Sequence, residues 1–225
     1  MSLTVTYFRG TKTGPEATMQ THLVSQFHKA FPEPQYPRWV AGSLSVGAGI
    51  PDLLVISCDP KVFALTNLEL PHSSVLAYLK AVGCARFETI VDRVKVPQKR
   101  LLRCLDILAE AGAVSEGQGV FSIVPVWRNI LPEIIAIEVK VQDWRRVIDQ
   151  AMRNSIFAHR TYAALPAATA NRIKSELVLR RFGIGLLAVE AGDEVRVVRR
   201  APYRQPRVWT YYYELACRTA QYCEA

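Results

Sequence analysis

Three residues that could bind a metal ion and a phosphate lie in or beside two strongly apolar segments. Six of the eight residues in IIAIEVKV, residues 134–141, are apolar, which is typical of a strand buried on both faces. Glu138 and Lys140 are two positions apart in it, so the alternation of a strand directs both to one side. Asp52 opens a second apolar strand within residues 49–56. Buried acids and a lysine require partners, and this set suits a hard divalent cation with an activated water.

The pairing of Pro51-Asp52 with Glu138-Val139-Lys140 resembles the motif of the PD-(D/E)xK nuclease superfamily. Many restriction endonucleases and Holliday-junction resolvases have this fold. The resemblance covers residues 1–70 and about 126–200. It implies an α/β fold with a mixed central sheet flanked by helices. It also implies hydrolysis of DNA phosphodiester bonds that depends on Mg²⁺ or Mn²⁺.

The resemblance makes Asp52, Glu138 and Lys140 the expected catalytic residues. Asp52 and Glu138 would each give the cation one carboxylate oxygen, and the backbone carbonyl of Val139 would add a third ligand. A bound cation lowers the pKa of its water and offsets the phosphate charge. Lys140 would stay protonated beside the carboxylates and orient the water. The alternative is a salt bridge from Lys140 to Asp52 or Glu138 without any metal.

Two further side chains are candidate accessory residues. Glu16 follows Pro15 at the start of a helix predicted over residues 15–31. In the family an acid on the first helix often completes the metal site, although an acid is also favourable at any helix N-terminus. Gln150 matches a glutamine that the family often directs to the active site. Asn154 stands where the exonuclease-type variant of the motif usually has a tyrosine.

The segments that must position these residues alternate between strand and helix patterns. Residues 38–45 predict a strand, and a glycine-containing turn leads from it into the strand that Asp52 opens. A helix is predicted over 142–158, where Arg153 would contact phosphate or be an ordinary solvated charge. Further strand, helix, strand and hairpin patterns cover residues 161–165, 171–182, 186–190 and 195–199.

Residues 71–125 interrupt this pattern and are similar to a winged helix. Helices are predicted over 72–82, 86–94 and 98–111, followed by a hairpin over 114–124. Four basic residues around the third helix predict contact with nucleic acid: Lys95, Lys99, Arg100 and Arg103. Winged helices also serve as dimerisation or spacer modules, and the sequence leaves that alternative open.

The C-terminal segment mixes basic and aromatic residues, which can hold nucleic acid by phosphate contact and stacking. Residues 209–217 also fit a helix or strand that docks on a core, and we favour docking.

Length, charge and composition set the broad class of protein. The 225 residues suit one ordinary domain with a smaller second one, and the net charge of +8 favours a polyanionic partner such as DNA. No apolar run approaches the length of a membrane span, and residues 1–14 lack a signal-peptide core, so we expect a cytoplasmic protein without a membrane partner. Five cysteines without metal-type spacing predict reduced thiols.

The prediction is therefore a restriction-endonuclease-like α/β core over residues 1–70 and 126–225, interrupted by a winged-helix insertion over 71–125. The predicted activity is that of a magnesium-dependent deoxyribonuclease. A homodimer would supply the two sites that cutting two strands usually requires. Two alternatives remain, which are a catalytically inactive nuclease-fold module for DNA binding or assembly, and a winged-helix DNA-binding regulator.

Overall fold

The computed structural model of the chain describes residues 5–10, 13–31, 35–47, 49–66, 68–190 and 194–223. Two compact units divide the chain. The first comprises residues 1–57 and 133–207, and the second comprises residues 58–132 and 208–225. The C-terminal segment, which the sequence analysis grouped with the nuclease-like core, thus belongs to the second unit.

The secondary structure alternates between strands and helices in the first unit and is mainly helical in the second. The strands are β1 (Val5–Tyr7), β2 (Arg38–Gly42), β3 (Leu53–Ser57), β4 (Cys84–Arg86), β5 (Val114–Gly117), β6 (Val120–Ile123), β7 (Glu133–Val139), β8 (Arg160–Pro166), β9 (Ile184–Val189) and β10 (Val195–Arg199). The α-helices are α1 (Pro15–Ser25), α2 (Phe27–Ala30), α3 (Leu70–Val82), α4 (Phe87–Val94), α5 (Gln98–Glu110), α6 (Trp144–Asn154), α7 (Ala167–Ile173), α8 (Leu177–Phe182) and α9 (Trp209–Tyr222). Short 3-10 helices cover Pro60–Leu65 and Pro125–Asn129. Within the described ranges, none of these helices has both the length and the apolar composition needed to cross a bilayer.

A seven-stranded mixed sheet forms the framework of the first unit, in the order β1-β2-β3-β7-β8-β9-β10. The pairs β1–β2, β7–β8 and β8–β9 are parallel, and the remaining neighbours are antiparallel. The predicted α/β class, with a mixed sheet flanked by helices, is confirmed.

Helices cover both faces of this sheet. On one face, Leu23 of α1 and Phe27 of α2 belong to a cluster with Ile137 of β7 and Tyr162 of β8. On the other face, α6, α7 and α8 pack on β8 and β9 through a second cluster that includes Ala151. Strands covered on both faces need apolar residues at every position, which explains the nearly unbroken apolar runs in the sequence.

The segment between β3 and β7 leaves the seven-stranded sheet and returns to it at the same end of two neighbouring strands. Ser57 at the end of β3 pairs with Glu133 at the start of β7, and β3 and β7 are antiparallel neighbours. Residues 58–132 are therefore inserted between two strands that lie side by side. At the opposite end of the same pair, Leu53 faces Ile137.

The second unit contains three consecutive helices and a three-stranded antiparallel sheet of order β4-β6-β5. Its interior includes Leu76 of α3 and Leu105 and Leu108 of α5, which are fully or almost fully buried. A two-residue turn joins β5 to β6, and both Gln118 (φ 54°) and Gly119 (φ 75°) have positive φ. A turn with two positive φ values matches the twist of a tight hairpin, and glycine favours it.

Helix α9 packs against other parts of the second unit. The Tyr212 hydroxyl accepts a hydrogen bond from the Leu131 backbone N–H at 2.8 Å, and the Tyr213 hydroxyl donates to the Trp127 carbonyl at 2.9 Å. Both rings are fully buried. The predicted docking role of this segment is confirmed, and its partner is the second unit.

Candidate active site

The pairing of β3 with β7 brings Asp52 opposite Glu138. Leu53 pairs with Ile137, so one further step in the same antiparallel register aligns the two acids. Directly opposite residues in an antiparallel pair project to the same face of the sheet. Asp52 Oδ2 accepts a hydrogen bond from the Val139 backbone N–H at 2.9 Å. Both carboxyl side chains are buried, since Asp52 is 4% and Glu138 2% exposed.

Glu138 has one satisfied and one unsatisfied carboxyl oxygen. Its Oε1 accepts a hydrogen bond from Asn154 Nδ2 at 2.6 Å. Asn154 is the last residue of α6 and is itself buried. The other oxygen, Oε2, is buried and has no hydrogen-bond donor in the described part of the chain. When Glu138 is protonated it can share that proton with the neighbouring Asp52 carboxylate, and a cation would replace the proton.

The surroundings raise the pKa of Glu138 to about 8. Burial is the largest cause, the neighbouring Asp52 charge is the second, and a hydrogen bond between the Glu138 and Asp52 carboxyl groups also raises the pKa. The Asn154 hydrogen bond and the Lys140 charge act in the opposite direction but do not compensate. Glu138 therefore holds a proton at neutral pH, and a divalent cation would have to displace it.

Lys140 follows the last residue of β7 and still continues the pairing with β8, because its backbone N–H donates to the Ala164 carbonyl at 3.1 Å. Its Nζ lies 2.8 Å from Glu16 Oε2, in the first turn of α1. Strand alternation placed Lys140 on the Glu138 side, yet its ion pair is with a helix that packs on the opposite face. Its charge nevertheless reaches Glu138, whose pKa it lowers.

The predicted residues fit a magnesium-type site with few protein ligands. Asp52 and Glu138 supply two carboxylates, and the described residues include no cluster of three or more His, Cys, Asp or Glu side chains suited to a metal ion. Magnesium is often bound through one or two carboxylates while it keeps several waters. The carbonyl of Val139 as a further ligand stays a prediction.

Gln150, the other predicted accessory residue, lies one turn before Asn154 on α6. Its side-chain oxygen is buried without a hydrogen-bond donor among the described residues. A role for Gln150 at the site stays a prediction. Arg153 is exposed on the same helix, where it is accessible to a phosphate.

The predicted nucleic-acid contacts of the second unit lie at the end of α4 and along α5. Lys95 directly follows α4 and forms an ion pair with Asp92 at 3.0 Å. Arg100 Nη2 lies 2.6 Å from Glu69 Oε2. All four basic residues are exposed, including the two others of this group, Lys99 and Arg103.

Asn154 is the residue whose role the sequence analysis missed. In the sequence it stands out only as the residue in the place of the tyrosine of the exonuclease-type motif. In the structure, Val147, Ala151 and Asn154 lie on the buried face of α6. A polar residue at helical spacing from buried apolar ones is the signal that would have identified it.

Comparison of the chain with protein-family models, with curated proteins and with solved structures finds no match. Function is therefore inferred from the side chains and their geometry.

Proposed function

We propose that this protein is a metal-dependent nuclease that hydrolyses DNA phosphodiester bonds through Asp52, Glu138 and Lys140. One observation carries the proposal, namely the facing carboxyl groups of Asp52 and Glu138 on neighbouring strands. Both are buried, and Glu138 Oε2 has no donor among the described residues. Two neighbouring buried acids cannot both ionise at low cost unless a cation shares the site, and a bound cation would take the place of the Glu138 proton.

Magnesium or manganese, when bound, would neutralise phosphate charge and acidify an attacking water. Asp52 and Glu138 would hold the ion. The Val139 N–H fixes Asp52 from the strand, and Asn154 fixes Glu138 from the helix. Each carboxylate is thus held by a donor from an ordered element, which preorganises the site.

Lys140 would bring a positive charge to the phosphate that is cut. Its ammonium is mostly buried, at 15% side-chain exposure, and the Glu16 carboxylate holds it at 2.8 Å. The ion pair limits the movement of the Lys140 side chain. Glu16 is in this proposal a positioning residue for Lys140, and the acid of the first helix acts without binding the metal.

The topology supports the restriction-endonuclease-like interpretation. A helix, α1, precedes the antiparallel strands β2, β3 and β7, and a second helix, α6, follows β7 before the parallel strand β8. The acids lie on β7 and just before β3, as the resemblance implies. The order of helices and strands from α3 to β6 likewise supports an inserted winged helix.

A second candidate function is a DNA-binding regulator or assembly module without catalysis. The observation that favours it is the exposed basic side of α5, which lies in the unit without the carboxylate pair. Both candidates bind DNA, and only the first cuts it.

Cleavage of supercoiled plasmid and of branched DNA distinguishes the two candidates. We expect cleavage by the full chain with Mg²⁺, none with EDTA, and cleavage about 10²–10³-fold slower after Lys140→Ala. Lys174→Ala is the matched control, because Lys174 is an exposed lysine of the same unit outside the site. DNA binding without cleavage in every condition would favour the second candidate.

A further inference from the structure

A cavity of about 640 Å³ lies in the second unit, between the start of α3 and the first three turns of α5. Its wall carries three cationic side chains, Lys99, Arg100 and Arg103, and one carboxylate, Glu69. Arg100 is paired with Glu69, whereas Lys99 and Arg103 form no ion pair with any residue that the structure describes. Two positive charges are thus left for a ligand.

His72 also lines this cavity. The ring is 7% exposed. Its Nδ1 lies 3.0 Å from the Glu69 backbone nitrogen and 3.3 Å from the Glu69 carbonyl oxygen. We assign the shorter contact as a hydrogen bond that Nδ1 accepts from the N–H, and the proton of the neutral ring is then on Nε2. Burial lowers the pKa of His72, in keeping with a neutral ring. The Nε2 donor is buried and has no acceptor among the described residues.

The rest of the wall is apolar. Pro97, Cys104 and Ile107 line the cavity, and Cys104 is buried. The volume is within the range of pockets that enclose small organic ligands. Apolar walls accept a planar or aliphatic body, and the cationic side fixes an anionic group.

We propose that this cavity binds the phosphate monoester of a nucleotide. A phosphate monoester carries nearly two negative charges at neutral pH, which matches the two unpaired cations, and its oxygens accept hydrogen bonds from arginine and from the His72 Nε2. The apolar wall would receive the sugar and base. Such a group is present on a free mononucleotide and on the 5′ end of a DNA strand. Neither requires the carboxylate site of the first unit, so this inference does not depend on cleavage.

Binding to the full chain in EDTA, where metal-dependent cleavage is suppressed, tests the proposal. The small probes are deoxyadenosine 5′-monophosphate and deoxyadenosine, compared by calorimetry. The strand probes are one short oligonucleotide with a 5′-phosphate or a 5′-hydroxyl. We expect the phosphate to strengthen binding roughly ten-fold or more within at least one of these pairs. Tighter binding of deoxyadenosine 5′-monophosphate than of deoxyadenosine identifies a free nucleotide as the ligand. A phosphate preference that is seen only with the oligonucleotides identifies a DNA end as the ligand.

The double variant Lys99→Gln, Arg103→Gln should abolish that preference, because it removes the two unpaired charges from exposed positions that do not support the fold. Arg93→Gln, an exposed arginine of α4 outside the cavity, should retain it. His72→Phe keeps a ring and removes the donor, and it should weaken the phosphate preference while the melting temperature reports any loss of fold. Equal binding of both members of both pairs, or a preference that survives the double variant, overturns the proposal.

Discussion

Glu138 makes the free energy of unfolding depend on pH. Its folded pKa is about 8 against an ordinary value of 4.5, so between these values the folded chain keeps a proton that the unfolded chain releases. Stability therefore falls as pH rises through this window, because the unfolded state binds fewer protons. Above pH 8 the buried charge is present in full. A difference of one pKa unit corresponds to about 1.4 kcal/mol, so ionising the buried Glu138 lowers the free energy of unfolding by a few kcal/mol.

We predict that Glu138→Gln stabilises the metal-free protein at high pH. Glutamine resembles the protonated glutamate, so the two proteins should have similar free energies of unfolding near pH 5. At pH 9 the variant should be more stable by roughly 2 kcal/mol or more, since it buries no charge. Urea unfolding at both pH values in EDTA measures the difference.

Glu110→Gln, at an exposed position of α5, is the control and should show little change between the two pH values. A Glu138→Gln protein that is no more stable at pH 9 than the wild type would contradict the assigned environment of Glu138.

Lys140 and Glu16 are expected to affect the reaction to different degrees. Lys140→Ala should lower the single-turnover cleavage rate about 10²–10³-fold, the usual effect of losing a charge-stabilising group. Glu16→Gln should lower it about 10–100-fold, because Lys140 stays but loses its 2.8 Å partner. Both variants should still bind Mn²⁺, which separates their role from that of the metal ligands. A Glu16→Gln enzyme as impaired in Mn²⁺ binding as in cleavage would instead make Glu16 a ligand.

At the level of elements, the site depends on the register between β3 and β7. A shift of one residue would turn every side chain of a strand to the other face and separate Asp52 from Glu138. The sequence predicted both strands and their acids, because apolar runs identify buried strands. The register of their pairing could not be predicted from the sequence, because it is set by contacts between segments that are about eighty residues apart.

Other differences have the same origin in non-local contacts. The helix predicted over 15–31 is divided at Gln26, and the one predicted over 171–182 is divided between Ile173 and Leu177. Neither break contains Gly or Pro, so a local pattern continues across it. Asn154 was not predicted as a partner of Glu138, because the contact joins a helix to a strand. The short hairpin around Gln118 and Gly119 was predicted, since its turn chemistry is local.

We predict that Gly185→Ala destabilises the first unit. A Cβ at Gly185 in β9 would lie 2.3 Å from the buried Tyr162 ring and 2.9 Å from the Ala201 backbone nitrogen. The ring cannot move into solvent, so overpacking should cost about 1–3 kcal/mol. Denaturant unfolding monitored by circular dichroism measures it.

Gly117→Ala is the control for that experiment, because an added Cβ in β5 meets nothing within 4 Å. Equal stability of the two variants would contradict the packing around Tyr162.

At the level of the whole molecule, a net charge of +8 accompanies two units with different chemistry. In the proposed function the first unit cuts DNA, and the DNA backbone is contacted by Arg153 and by the exposed basic side chains of α5. Contacts with the DNA backbone release counterions. The logarithm of the binding constant therefore falls with the logarithm of the salt concentration, with a slope of about −0.9 for each phosphate neutralised.

We therefore predict that Arg153→Gln weakens DNA binding to a similar extent for all sequences. The slope of log affinity against log salt concentration should become shallower by about 0.9, the contribution of one phosphate contact. Fluorescence anisotropy in EDTA at several salt concentrations measures the slope. Arg172→Gln, an exposed arginine on α7, is the matched control. An Arg153→Gln slope equal to that of the wild type would exclude Arg153 from phosphate contact.

Titration of the full chain with Mn²⁺ by calorimetry at pH 7, in buffers of different ionisation enthalpy, tests the carboxylate pair most directly. The expected result is one Mn²⁺ per chain with release of close to one proton, because Glu138 is mostly protonated at this pH. Asp52→Asn should abolish this binding. A wild-type chain that takes up no Mn²⁺, or that binds it as well after Asp52→Asn, would contradict the proposed site.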